Sequence, residues 1–224
     1  MASEILCFDL EGVFVPEIWI QVAEHTGIEA LRLTTRDLSD YDELMKHRLK
    51  TLDECGLGIM DVQEVIAAME PMAGAREFLA WAHENFQVVI LSDTFYEFAQ
   101  PLMAQLGFPT LFCHNLEIDA SGRIVDYHLR LPNQKEQAVR AFQGLNFPVF
   151  AVGDSYNDTH MLLAAEHGFL YCPPQKVIDE FPGLPVVRDY DQLSQVLAEV
   201  SSRPLGPQPT DHQKHAKLAR TESE

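Results

Sequence analysis

Apolar and polar positions fall into alternating blocks along this 224-residue chain, and the blocks read in turn as strands and helices. Ile5 to Phe8 is a short continuous apolar run, the pattern of a strand buried on both faces of a sheet. A helical region follows up to about Glu70. Pro16 to His25 reads as one helix with Pro16 opening it, and Tyr41 to Glu54 as a second capped by Asp40. Asp61 to Met69 reads as a third, with Asp61 as N-cap and Pro71 beyond its end. No strand pattern interrupts this block.

Strand and helix then alternate. Ala73 to Glu84 predicts a helix, Gln87 to Leu91 a buried strand, and Phe95 to Leu106 a helix ended by Gly107. Thr110 to Cys113 predicts a short strand. His114 to Ile118 and Ile124 to Leu129 predict a hairpin across a five-residue turn. A helix from Gln134 to Leu145, a strand from Pro148 to Val152 and a helix from Asn157 to His167 come next. Strands at Phe169 to Tyr171 and Pro185 to Val187 precede a last helix, Tyr190 to Val200. The expected fold is α/β: a doubly wound, Rossmann-like, mostly parallel sheet, with a helical cap inserted after the first strand. Residues 1–13 and 72–200 form the core domain in this reading and 14–71 the cap. From Ser201 the chain is polar and proline-rich, which predicts a disordered tail over 201–224. His212 and His215 sit there as solvated polarity rather than a metal site.

Composition narrows the partners. Hydrophobic residues make up 46%, enough for a well-filled core. With 34 acidic against 16 basic residues the formal charge is -18, which argues against nucleic acid or an anionic membrane as partner. An anionic substrate then requires local cations or a metal to offset the field. No apolar run reaches membrane-spanning length and no secretory leader pattern opens the chain. Cys7, Cys55, Cys113 and Cys172 lie far apart with no C-x-x-C pair, so free thiols in a reducing cytoplasm are expected.

Polar residues collect where buried strands end. Asp9 and Glu11 follow the first strand at i and i+2, so in an extended chain both carboxylates point to one side, and Gly12 then permits a sharp exit. Open α/β sheets bind ligands at that edge. The second strand leads into Leu91-Ser92-Asp93-Thr94, where each polar residue is a good helix N-cap, a role compatible with anion binding at a helix N-terminus. Lys135 stands in the first turn of its helix, against the helix dipole; it is either simply solvated or reaching toward an anion. In Gly153-Asp154-Ser155-Tyr156-Asn157-Asp158, capping needs one polar residue and three are present. With Asp9 and Glu11 they supply oxygen ligands for a hard cation, Mg²⁺ above all.

Two cap residues add to this. Tyr41, Leu44, Met45, Leu49 and Leu52 follow a helical stripe that Arg48 interrupts. Arg48 either lays its stem along apolar surface or, if the stripe is buried, needs an anion such as a carboxylate for its guanidinium. Glu17, just after Pro16, complements a helix N-terminus.

The pieces DLEGV, LSDTF, Lys135 and GDSYND, in that order, resemble the haloacid dehalogenase superfamily, and within it the phosphoserine phosphatases, over about residues 4 to 200. The resemblance implies Asp9 as nucleophile and Glu11 as general acid and base. It implies Mg²⁺ on Asp9, Asp154 and the Glu11 backbone carbonyl, supported by Asp158. Ser92, Lys135 and the helix N-terminus after Asp93 would hold phosphoryl oxygens, with Asn157 on another. Glu17 would bind a substrate ammonium and Arg48 its carboxylate. Most superfamily members have Asp in place of Glu11, and most phosphoserine phosphatases Gly in place of Asp93. Both departures favour the relatives that also transfer phosphate to L-homoserine. The expected substrates are therefore O-phospho-L-serine and L-homoserine, a reading compatible with a homodimer. A phosphatase for another small metabolite, or a non-catalytic phosphate-binding protein on the same fold, are the alternatives.

Overall fold

The computed structural model describes residues 3–34, 37–38 and 40–207. Seven strands form one sheet in the order β4-β3-β2-β1-β5-β6-β7. The strands are β1 (Ile5–Phe8), β2 (Gln87–Phe95), β3 (Thr110–Ile118), β4 (Ile124–His128), β5 (Val149–Gly153), β6 (His167–Tyr171) and β7 (Val186–Val187). All neighbours pair in parallel except β3 and β4. β1 lies at the centre between β2 and β5, and its C-terminal tip is flanked by theirs. The chain order reverses direction there, the point where such sheets offer a crevice.

The period-two alternation of the central strands sorts their side chains into two cores. Leu6, Phe8, Val88, Ile90, Phe150 and Val152 face one layer. That layer includes helices α4 (Ala75–Asn85), α5 (Tyr96–Gln105) and α9 (Tyr190–Val200). Ile5, Cys7, Val89, Leu91, Val149 and Ala151 face the other, against α6 (Gln134–Gly144) and α7 (Thr159–Ala164). The first core continues without a break into α1 (Ile18–Thr26), α2 (Tyr41–Glu54) and α3 (Ile59–Ala68), through Trp19, Met45, Leu52, Val62 and Ile66. The helical block between β1 and α4 is thus cemented to the sheet domain by apolar contact. Among the described residues, no helix is long and apolar enough to cross a membrane.

Several expected boundaries shift. Helix α1 begins at Ile18, not Pro16, because residues 10 to 15 turn back on themselves: the N–H groups of Phe14 and Val15 both donate to the Leu10 carbonyl. Asp61 is not an N-cap; Gly58 holds that place, and Asp61 at the third helical position accepts the Gly58 N–H at 2.7 Å. Strand β2 runs through Ser92-Asp93-Thr94 to Phe95 because β3 keeps pairing with it past an irregularity, up to Phe95 opposite His114. The expected short strand and hairpin arm merge into one strand, β3. It pairs in parallel with β2 in its first half and antiparallel with β4 in its second. His167 opens β6 instead of closing a helix, and a short helix α8, Gln175–Glu180, was not anticipated.

Residues 201–207 are not the free tail that their composition predicts. Ser201 and Ser202 hydroxyls donate to the buried Glu4 carboxylate at 2.7 and 2.8 Å, and Trp81 Nε1 donates to the Gly206 carbonyl at 2.7 Å. Residues 201–207 are therefore bound to the end of α4 rather than free. His212 and His215 lie outside the described residues.

Candidate active site

At the tip of β1, Asp9 donates its backbone N–H to the Val152 carbonyl at 2.9 Å, which locks it to the end of β5. Its carboxylate is buried and accepts from Lys135 Nζ at 2.8 Å. The same ammonium reaches Asp158 Oδ1 at 2.8 Å and Asp93 Oδ2 at 3.5 Å. Lys135, only 4% exposed, is thus a buried cation shared by three carboxylates, from the tip of β1, from β2 and from the turn after β5. Burial disfavours its charge, but Asp158, Asp9 and Asp93 together outweigh that and hold it protonated well above the ordinary lysine range. Asp9 is shifted upward as well, which for a carboxyl favours the neutral form. Burial first, then repulsion from Asp158 and Asp154, raise it above the usual carboxylate range despite Lys135.

Asp158 is fully buried and spends its second oxygen on the backbone N–H groups of Asp154 and Ser155, at 3.0 and 3.2 Å. It shapes the turn after β5. Gly12 makes room for the Asp154 carboxylate. Its φ is +76°, and a Cβ there would lie 2.5 Å from Asp154 Oδ2. Gly153 has the same role beneath Asp158, whose side chain a Cβ would overlap. Asp9, Asp154 and Asp158 each bring an oxygen within 4.8 Å of the others, a spacing suited to a hard cation. Burial, followed by Asp158 and Glu17, raises Asp154 to about 7. Carboxylates that repel one another at close quarters, with a glycine cleared beside them, fit a divalent ion.

Asp93, expected beside a helix N-terminus, sits inside β2, three residues before α5 begins at Tyr96. The helix expected from Phe95 does follow, with Phe95 as its N-cap residue and Tyr96 as its first helical residue. Asp93 Oδ2 accepts from Asn157 Nδ2 at 2.9 Å. Its Oδ1 lies 3.4 Å from Gln134 Nε2 and 3.6 Å from His114 Nε2. Burial works against its charge, but Lys135, His114, Asn157 and Gln134 overcome that and hold the carboxyl far below its usual range. Ser92 is buried, and its Oγ accepts the Thr94 N–H at 3.2 Å, which leaves its O–H proton to donate.

Glu11 does not extend from β1 as its spacing suggested. It rides on the turn of residues 10 to 15 and accepts the Ile18 N–H at 2.8 Å, capping α1 from outside the helix. Burial and neighbouring Glu17 raise its carboxyl to about 8, against the Ile18 bond, Arg48 and Lys135. Glu17 precedes the first residue of α1 and is exposed. Arg48 is 7% exposed on the buried stripe of α2, lies 4.6 Å over the Trp19 ring and donates Nη2 to the Leu33 carbonyl at 2.9 Å. Its Nε is buried with no hydrogen-bond partner. Burial lowers it to about 10 in spite of Glu11, Tyr41 and Glu17. A buried guanidinium with a donor to spare is poised for an anion.

Asp9, Lys135, Asp93, Asn157, Asp154 and Asp158 thus form one connected network, with Ser92 buried next to it on β2. Glu17 and Arg48 are near enough to Glu11 to influence its protonation, and Glu11 and Glu17 to influence that of Arg48. His114, Gln134 and Tyr41 were missed as site residues. Tyr41 donates its hydroxyl to the Asp93 carbonyl at 3.1 Å, and Gln134 Nε2 donates to the Ser92 carbonyl at 2.7 Å. Gln134 was legible in principle, as the buried neighbour of Lys135 in a first helical turn. A cavity of about 960 Å³ opens beside the network, with Tyr41, Asp93, His114, Gln134, Lys135 and Asn157 in its wall. Asp9, Glu11 and Arg48 lie outside that wall.

The arrangement defines a class. Residues 4–166 match the haloacid dehalogenase-like hydrolase model, and the chain belongs to that family. It is 60% identical over 202 residues to phosphoserine phosphatase ThrH of Pseudomonas aeruginosa, across 90% of this chain and 98% of that protein. It is 57% identical over 204 residues to a phosphoserine phosphatase of Pseudomonas syringae pv. tomato, across 91% and 86% of the two chains. A solved structure described as a phospho-aspartyl intermediate analogue of phosphoserine phosphatase shares the fold, with a TM-score of 0.71 at 18% identity. It covers 88% of this chain and 99% of its own.

Proposed function

We propose that the protein is a phosphoserine phosphatase that acts through a phosphoaspartate on Asp9 and also passes the phosphoryl group to L-homoserine. The observation that carries the substrate reading is Arg48, a buried guanidinium with an unpartnered Nε, near enough to Glu11 to influence it. A phosphoserine carboxylate supplies what it lacks, and Glu17 supplies a carboxylate for the substrate ammonium. High identity to named phosphoserine phosphatases over nearly the whole chain supports the same substrate.

The chemistry follows from the residues. Asp9, one oxygen held by Lys135, attacks phosphorus with the other, and the bond to the serine oxygen breaks. Lys135, Ser92 and Asn157 meet the charge that spreads over the phosphoryl oxygens. Glu11, raised to about 8, is protonated near neutrality and gives its proton to the departing serine. As a carboxylate it then takes the proton of water or of homoserine as that oxygen attacks the phosphoaspartate. Asp9, Asp154 and the Glu11 backbone carbonyl would hold Mg²⁺, with Asp158 in support. When bound, the ion neutralises the carboxylates and admits an anionic phosphoryl group.

In this reading residues 14–71 act as a cap over a core of 1–13 and 72–200, and four unpaired cysteines suit a cytoplasmic enzyme. The test is phosphorus NMR of enzyme, Mg²⁺ and O-phospho-L-serine with saturating L-homoserine. Serine release with O-phosphohomoserine formation is expected. Inorganic phosphate alone removes the transferase activity, and no serine release removes the substrate.

A further inference from the structure

The wall shared by the catalytic network and the large cavity holds four donors that converge on one internal anion. Asn157 Nδ2, Gln134 Nε2, Lys135 Nζ and His114 Nε2 stand 2.9, 3.4, 3.5 and 3.6 Å from the Asp93 carboxylate. Two of these, Lys135 and Asn157, are the groups a phosphoryl oxygen needs on this side. The other two sit on the far oxygen, Oδ1, and are both buried: His114 is 3% and Gln134 2% exposed. The Arg130 N–H donates to His114 Nδ1 at 3.1 Å, so the neutral ring carries its proton on Nε2, aimed at Asp93.

We propose that Asp93 is a specificity-determining residue that competes with the phosphoryl group for Lys135 and Asn157, and that His114 is the positioning residue that draws it away. This rests on the reading of the site as a phosphoryl-transfer centre. Without ligand, the carboxylate occupies the donors and balances the buried ammonium. When a phosphoryl group arrives, Lys135 and Asn157 turn to it, and Asp93 must rest on His114 and Gln134 alone. A carboxylate left beside the bound group repels it. The consequence is weak retention of inorganic phosphate, the product with the highest charge and no carboxylate for Arg48. Substrates that bring a carboxylate and an ammonium recover the lost affinity at Arg48 and Glu17. Free phosphate does not.

Phosphate binding reads this directly and independently of turnover. Titrations of Mg²⁺-loaded protein with inorganic phosphate, followed by calorimetry and by inhibition of phosphoserine hydrolysis, would compare wild type, Asp93→Asn, Asp93→Gly, His114→Phe and the His114→Phe/Asp93→Asn double variant. Both Asp93 variants should bind phosphate about tenfold more tightly, the scale of one lost charge repulsion. His114→Phe should bind it several-fold more weakly, because Asp93 then clings to Lys135 and Asn157. The double variant should match Asp93→Asn. A gain of affinity is not something structural damage produces. Phosphate binding that is unchanged or weaker in both Asp93 variants overturns the proposal, as does a His114→Phe effect that persists without the carboxylate. Wild-type protein that binds phosphate but does not release serine overturns the substrate reading instead, and leaves this comparison standing.

Discussion

The two ends of the candidate site are built to opposite standards. Around Lys135 the side chains hold one another: three carboxylates share one ammonium, and Asp158 spends both oxygens on Lys135 and the turn after β5. Around Arg48 the partners run short: one carbonyl, a thioether at 3.8 Å, a ring face, and a buried Nε with nothing to bond. Buried charges are costly unless paired, so the first end is preorganised and the second is held ready for a ligand. The difference separates the roles. In the proposed function the phosphoryl end comes from the tip of β1, the last part of β2, the turn after β5 and the first turn of α6, held together by the parallel pairing of β1 with β2 and β5. The recognition end comes from α2 and the start of α1, where the helical block supplies groups without supplying their counter-charges.

Removing the nucleophile breaks the first end most severely. Asp9→Asn should lower kcat for phosphoserine by roughly 10⁴-fold or more, as loss of a nucleophile does elsewhere. Acid-quenched enzyme should then carry no phosphoryl label, while circular dichroism stays native. Label retained in that variant would place the nucleophile elsewhere and dissolve the contrast. Arg48→Ala strikes the other end. It should cost about 2–4 kcal/mol in kcat/KM for phosphoserine, the scale for one member of a desolvated charged pair. Turnover of p-nitrophenyl phosphate, which has no carboxylate, should hardly change. Equal losses on both substrates would show that Arg48 serves the phosphoryl end or the fold.

The better-determined end was also the more legible one. Continuous apolar runs ending in Asp9 and Gly153-Asp154 announce buried strands with acids at their tips, because parallel pairing leaves little else for such runs to be. Asp158 and Lys135 stood out at helix starts, but Lys135 in such a position reads equally well as solvated, and only the resemblance set it beside Asp9. Asp93 was harder. Ser, Asp and Thr in sequence look like a helix cap, and only the continued pairing of β3, far along the chain, keeps them in a strand. His114 was invisible for a related reason: it lies in β3 where that strand changes partners from β2 to β4, a tertiary fact with no local pattern. Arg48 showed as a break in an apolar stripe, yet whether it was buried depended on Trp19 and Leu33 arriving from elsewhere. Gly58 took the cap from Asp61 because Asp61, at the third helical position, reaches back to accept the Gly58 N–H, the half of a capping box that needs no N-cap side chain.

Gly12→Ala sharpens the comparison from the backbone side. The residue has a left-handed φ of +76°, and the new Cβ would meet the Asp154 carboxylate at 2.5 Å. A non-glycine residue in a strained region costs about 1–3 kcal/mol. The displaced carboxylate should also loosen the divalent ion. Urea unfolding should show the stability loss, and activity against Mg²⁺ concentration should shift to higher metal. Wild-type metal dependence in this variant would mean that Asp154 does not face the ion.

The smallest effect belongs to a contact that serves neither end. Arg123, in the turn between β3 and β4, forks onto Asp53 near the end of α2, with Nε 2.6 Å from Oδ1 and Nη2 3.0 Å from Oδ2. The geometry is bidentate, but both side chains are about half exposed, at 54% and 46%, so water and salt screen the pair. The same junction has a backbone bond that substitution does not remove, from the Ile59 N–H to the Gly122 carbonyl at 2.9 Å. Arg123→Ala should therefore cost about 0.2–1 kcal/mol in urea unfolding, and the loss should shrink at high salt. Phosphoserine turnover should stay close to wild type, since Asp93, Lys135 and Arg48 keep their surroundings. A large drop in kcat/KM from this substitution would mean that the fork holds Arg48 in place. The recognition end would then depend on the β3–β4 turn as well as on the burial of α2 against Trp19.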